Sequence, residues 1–95
     1  MMMKNKICLV TGGSRGIGNG IVKQLSAKGY KVAFTFNEKE KLAQDLESQL
    51  NKNGGNVKSF QMSIENRESV VLTLEKIKKY FQSTVSILIN NAAIS

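Results

Sequence analysis

The stretch Thr11-Gly12-Gly13-Ser14-Arg15-Gly16-Ile17-Gly18 has the residue types and spacing of a phosphate-binding turn. Glycines at such intervals let backbone N–H groups approach an anion with no side chain between them. Ile7 to Val10 before it is an apolar run that reads as a buried strand. Ile17, Ile21, Val22 and Leu25 after it recur at the spacing of one helix face. Strand, glycine turn and helix in that order give a glycine pattern its chemical meaning. Gly12 turns the chain sharply off the strand, while Gly16 and Gly18 keep side chains clear of a pyrophosphate and of a neighbouring strand. The N–H groups at the helix start, with the positive end of the helix dipole, then face the phosphates. A P-loop is excluded, because it needs Lys and Ser/Thr after its last glycine and Asn19-Gly20 follow Gly18. A glycine-rich turn without a ligand is the alternative.

Other chemistry is sparse. There is no histidine, and the single cysteine, Cys8, lies in the first strand as a small buried hydrophobe; no metal-ligand set is visible. With 95 residues the chain makes at most one small domain. Its 41% hydrophobic and 22% charged content is that of a globular protein rather than a disordered one. No apolar run approaches the ~20 residues of a membrane span, and Met1 to Lys6 is no signal-peptide core, so a cytoplasmic protein is expected. The net charge of +7 raises nucleic acid as a partner. The lysines are scattered over predicted polar helix faces, however, and aromatics are 6% of the chain with no stacking motif, so a solvated basic surface is the better account.

The elements that must position the glycine turn alternate regularly. A first strand runs from about Lys6 to Val10, and the helix after the turn ends near Lys28-Gly29, with Gly29 as its C-cap. Lys31 to Phe36 is a second strand, apolar on both faces as a covered parallel strand should be. Asn37-Glu38-Lys39-Glu40 has the form of a capping box, and Leu42, Leu46 and Leu50 give the next helix its buried stripe. After a turn at Gly54-Gly55, Val57 to Met62 is a third strand. Arg67 to about Gln82 is a third helix with Val70, Leu74, Ile77 and Phe81 inward, and Val85 to Ile89 is a fourth strand. This predicts an α/β fold, a Rossmann-like, doubly wound parallel sheet in spatial order 3-2-1-4. Residues 1–95 would then be the incomplete N-terminal part of one dinucleotide-binding domain, with about four strands and three helices.

Asn90-Asn91-Ala92-Ala93-Ile94 follows the fourth strand. This segment resembles the N-N-A-G signature of the short-chain dehydrogenases/reductases, and T-G-x-x-x-G-x-G resembles that family's cofactor loop. Both fall where the family has them, at the ends of the first and fourth strands. The T-G-G-S-R-G-I-G form is most similar to the 3-oxoacyl-[acyl-carrier-protein] reductase branch, which implies fatty acid biosynthesis. The resemblance implies that Gly12, Gly16 and Gly18 form the pyrophosphate loop, with Ser14, Arg15 and Ile17 as cofactor-contacting positions. It implies that Ser63 and Ile64 lie at the adenine, and Asn91, Ala92 and Ala93 along the adenosine ribose, with Asn90 tying strand ends together. Ser63 stands where Asp or Asn is usual, Ala93 where Gly is usual, and Ser86 where Asp is often seen.

The family's Ser…Tyr-x-x-x-Lys arrangement is not found: Phe34 stands four residues after Tyr30, and Thr84 four after Tyr80. No catalytic residue is therefore assigned. The second strand ends at Phe36-Asn37 with no carboxylate to hold a ribose 2′-OH, so NADP(H) is the expected cofactor. Arg15 would meet its 2′-phosphate and Asn37 would add a neutral hydrogen bond. The resemblance implies hydride transfer to a small-molecule or acyl-carrier-bound carbonyl in an intact protein that is a homo-oligomer. This chain alone is expected to be inactive and poorly folded. The alternative is a non-catalytic nucleotide-binding remnant or regulatory module.

Overall fold

The computed structural model describes residues 6–14 and 16–91. Along the chain, β1 (Ile7–Thr11), α1 (Gly16–Ala27), β2 (Lys31–Phe36), α2 (Glu40–Lys52), β3 (Asn56–Gln61), α3 (Arg67–Phe81) and β4 (Val85–Asn90) alternate. The four strands form one parallel sheet in the order β3-β2-β1-β4, as the sequence predicts. The ends of β2 are the expected ones, and those of β1, β3 and β4 lie within one residue of expectation. None of the described helices is long and apolar enough to cross a membrane.

Helices cover both faces of the sheet. On one face Val22 of α1 and Ala43 and Leu46 of α2 pack with Val10, Val32, Phe34, Phe36 and Val57. On the other, Ile77 and Phe81 of α3 pack with Ile7, Leu9 and Ala33. Alternate residues of β1 and β2 thus serve different cores, which is why both strands read as continuous apolar runs. Cys8 is fully buried, and desolvation pushes its thiol pKa upward, so it acts as a protonated apolar side chain.

Three local expectations are corrected. Asn37 does not cap α2. The helix starts at Glu40 with Lys39 at the cap position and no side-chain cap bond, and the Glu40 carboxylate accepts from Gln44 Nε2 instead. Asn66 is the residue that caps, its Oδ1 accepting from the Ser69 N–H at the start of α3. Second, the buried stripes are phased on small residues. Ala43 and Leu46 face the sheet and Leu42 is exposed; Thr73, Ile77 and Phe81 face it and Leu74 is exposed. Ala43 allows α2 close approach, and the Thr73 hydroxyl is satisfied by donating to the Ser69 carbonyl at 2.7 Å, so its burial is cheap. Third, Ile17 does not join the inner face of α1, where Gly18 and Val22 are the buried residues.

Candidate functional site

The glycine turn occupies the space between the C-terminal end of β1 and the start of α1, above the ends of β2 and β4. Gly12 has φ +67° and Gly16 φ +64°, backbone that an L side chain rarely adopts, so the turn depends on glycine at both places. Gly13 and Gly18 are needed for another reason. A Cβ on Gly13 would lie 2.7 Å from Phe34 Cβ and 2.9 Å from Val22 Cγ2. On Gly18 it would strike the Gly12 carbonyl oxygen and stand 2.7 Å from the Asn91 amide nitrogen. The turn is pressed onto β2 from above, and α1 is pressed onto the turn.

Hydrogen bonds from three directions hold this shape. The Gly12 N–H donates to the Thr35 hydroxyl at 3.2 Å, and the Gly13 N–H to the Thr35 carbonyl at 3.0 Å. The Gly12 carbonyl accepts from Asn91 Nδ2 at 3.0 Å, and the Ser14 carbonyl accepts from Asn19 Nδ2 at 3.2 Å. Beside it Thr11 Oγ1 donates to Asn90 Oδ1 at 3.1 Å, which joins the ends of β1 and β4. Asn90 therefore ties strand ends, as expected. The Asn91 side chain is also engaged, with the glycine turn itself. Sequence reasoning passed over Thr35 and Asn19. The available signal for Thr35 is that it is the sole hydroxyl in an otherwise apolar strand segment, Val32 to Phe36.

The outer side of the turn is open. A Cβ on Gly16 would meet nothing within 4 Å, and Ile17 is 77% exposed. The first N–H groups of α1 have no partner within their own helix, and its first turn carries no acidic residue. An anion placed there meets helix-dipole attraction and no carboxylate from the first turn of α1. Ser14 is buried.

The remaining predicted positions lie at the same C-terminal edge of the sheet. Asn37 follows β2 and is exposed, its carbonyl accepting from Gln61 Nε2 at 3.2 Å. Ser63 follows β3 with its N–H donated to Ser69 Oγ at 2.9 Å and its carbonyl taking the Asn66 N–H at 3.1 Å; Ile64 beside it is exposed. The structure thus brings Gly12, Ser14, Gly16, Ile17, Gly18, Asn37, Ser63, Ile64 and Asn91 to one rim of the sheet. Arg15, Ala92 and Ala93 lie outside the described residues.

Both tyrosines pack elsewhere. Tyr30 lies against the α1–α2 core, and Tyr80 stands edge-on to Phe60 and Phe81, with Lys58 Nζ 5.5 Å from its ring centre.

A family model described as short chain dehydrogenase matches residues 6–95. This chain belongs to the short-chain dehydrogenase family. Among relatives in the family, it is 41% identical over 95 residues to the 3-oxoacyl-[acyl-carrier-protein] reductase of Escherichia coli, covering 100% of this chain and 37% of the relative. It is 40% identical over 91 residues to a probable 2,4-dienoyl-CoA reductase of Caenorhabditis elegans, covering 96% of this chain and 29% of the relative. A double variant of a Serratia marcescens short-chain dehydrogenase/reductase superposes with a TM-score of 0.88 at 31% identity, over 94% of this chain and 36% of that one. An alternative dihydrofolate reductase of Brucella canis, solved with NADP, gives 0.84 at 28% identity, over 93% and 35%. The chain therefore spans about a third of the length of these family members.

Proposed function

We propose that this chain is the N-terminal, cofactor-binding part of an NADP(H)-dependent short-chain oxidoreductase, with residues 1–95 forming part of a single Rossmann domain. The observation that carries this is the glycine turn, fixed on its inner side by Thr35 and Asn91 and open on its outer side at the start of α1. The residues present fit a dinucleotide. A Cβ on Gly16 would meet nothing within 4 Å, and the α1 N-terminus presents backbone donors there. NADP-bound structures among the similar proteins favour the same cofactor.

In this reading Gly12, Gly16 and Gly18 shape the pyrophosphate cradle, with Ser14, Arg15 and Ile17 at its rim. Ser63 and Ile64 border the adenine, and Asn91, Ala92 and Ala93 the ribose. Asn37 stands at the end of β2, where a carboxylate would repel a 2′-phosphate. The Glu40 carboxylate, at the start of α2, accepts from Gln44 Nε2 one turn along the helix. NADPH, when bound, supplies a hydride to a carbonyl. What this chain supplies is binding and orientation of the adenosine and pyrophosphate ends. The proton donor and the substrate pocket belong to the rest of the intact protein. That protein acts in the cytoplasm on a small-molecule or acyl-carrier-bound carbonyl, as a homo-oligomer in the fatty-acid-synthesis branch.

The test joins this chain to the remaining two thirds of the Escherichia coli relative and follows NADPH oxidation with a 3-oxoacyl substrate. Arg15→Ala should raise the KM for NADPH about tenfold, the loss of one charge-assisted contact, and leave that for NADH nearly unchanged. Asn37→Asp should act in the same direction by repulsion. Equal effects on both coenzymes would overturn the assignment. The 95-residue chain alone should bind NADPH weakly, melt at low temperature and show no turnover.

A further inference from the structure

We infer that Thr35 is a positioning residue for the pyrophosphate cradle, acting from inside β2 without touching the ligand; this rests on the nucleotide site proposed above. Thr35 is 2% exposed, in the strand that lies beside β1. Its hydroxyl accepts the Gly12 N–H and its carbonyl the Gly13 N–H, so one residue fixes two consecutive peptides of the turn. Asn91 holds the opposite end of the same Gly12 unit through the carbonyl. With its N–H tied to β2 and its carbonyl to the residue after β4, Gly12 cannot rotate either neighbouring peptide. The orientation of the following N–H groups at the start of α1 is thereby set before any ligand arrives. A turn built this way incurs little ordering cost on binding, and affinity gains from the preorganisation. The hydroxyl is required for its acceptor oxygen. Valine has the same shape and would leave the Gly12 N–H facing a methyl group, and a buried donor without an acceptor drives the peptide to another orientation.

The experiment compares wild type, Thr35→Val and Thr35→Ser in the fusion with the Escherichia coli relative. Each is titrated with NADPH and with adenosine 2′-monophosphate, which lacks the pyrophosphate. Thr35→Val should weaken NADPH at least tenfold and leave adenosine 2′-monophosphate within twofold, and Thr35→Ser should restore NADPH affinity. Equal losses for both ligands, or no loss for either, would overturn the inference. Amide exchange of the unliganded wild-type fusion gives a measurement independent of how the variants fold. The Gly12 and Gly13 amides should already be protected and gain less than about threefold on adding NADPH. A gain of a hundredfold would show that the ligand, and not Thr35, orders the turn. If the wild type binds neither ligand, the proposed function fails and this inference fails with it. If it binds both and Thr35→Val binds as well as wild type, only the inference fails.

Discussion

Strands β2 and β4 flank the same strand, β1, and their sequences are nearly equally apolar, yet they sit in different surroundings. From Val32 to Phe36 every residue of β2 is buried, whereas β4 alternates between half-buried and exposed along its length. The cause is coverage. Helices pack over both faces of β2, but on the α3 side the cover reaches β4 only at its start, where Val85 joins the core, and leaves Leu88 open. Leu9 is therefore buried while its register partner Leu88 in β4 is 62% exposed. Ile89, on the other face, still reaches the core under α1 and α2. The glycine turn is attached to both regions, through Thr35 within the covered strand and Asn91 after the open one. Stability should therefore reside in the β1–β2 half, and the turn should inherit its rigidity mainly from there.

The sharpest way to break this comparison is to empty the covered half. Phe34 is fully buried and lies under Gly13, so Phe34→Ala removes both core packing and the floor of the turn. A buried Phe→Ala change costs about 3–5 kcal/mol. In a chain of this size that should abolish the cooperative transition in urea and NADPH binding together. A variant that keeps both would show that the β1–β2 core is not what holds the turn.

A second comparison lies within one helix. Gly18→Ala would force a methyl against the Gly12 carbonyl and the Asn91 amide, while Gly20→Ala, two residues on, meets nothing within 4 Å. The first should lower stability by about 1–3 kcal/mol through overpacking and weaken NADPH binding. The second should raise stability by up to about 1 kcal/mol, because alanine is the better helix former. Urea midpoints and NADPH titrations of the pair check both signs. Loss of affinity in both variants would place the constraint in the ligand's path rather than in the contact between α1 and the turn.

These contrasts also mark what the sequence could say. Strand and helix alternation, the sheet order and the location of the turn followed from patterns that depend on local physics: apolar runs, glycine spacing and turn residues. The phase of α2 and α3 did not, because a leucine repeat draws the eye to Leu42 and Leu74 while the sheet selects Ala43 and Thr73 for their small size or satisfied hydroxyl. The difference between β2 and β4 was equally hidden, since Val85–Ile89 reads like any covered strand and coverage is a tertiary property. In the site, the glycines were legible because their constraint is conformational. Thr35 was not, because a hydrogen bond between residues 23 apart leaves no mark in spacing.

The smallest effect belongs to the open strand. Leu88→Thr places a β-branched residue in β4, so strand propensity is not lost, and the apolar surface removed is already mostly in contact with water. The urea midpoint of the chain should then move by no more than the equivalent of about 0.5 kcal/mol, the range of ordinary surface substitutions. The neighbouring control is Ile89→Thr, which takes a half-buried side chain out of the α1–α2 core and should cost about 1–2 kcal/mol at ~25 cal/mol per Å² of apolar area. The ratio matters more than either value, because both residues are aliphatic side chains of equal size on the same edge strand and present opposite faces. A Leu88→Thr loss as large as that of Ile89→Thr would show that the outer face of β4 is covered in solution. Repeating the measurement at tenfold dilution then separates the sources of that cover, since contact with a second copy makes the midpoint concentration-dependent and contact within the chain does not.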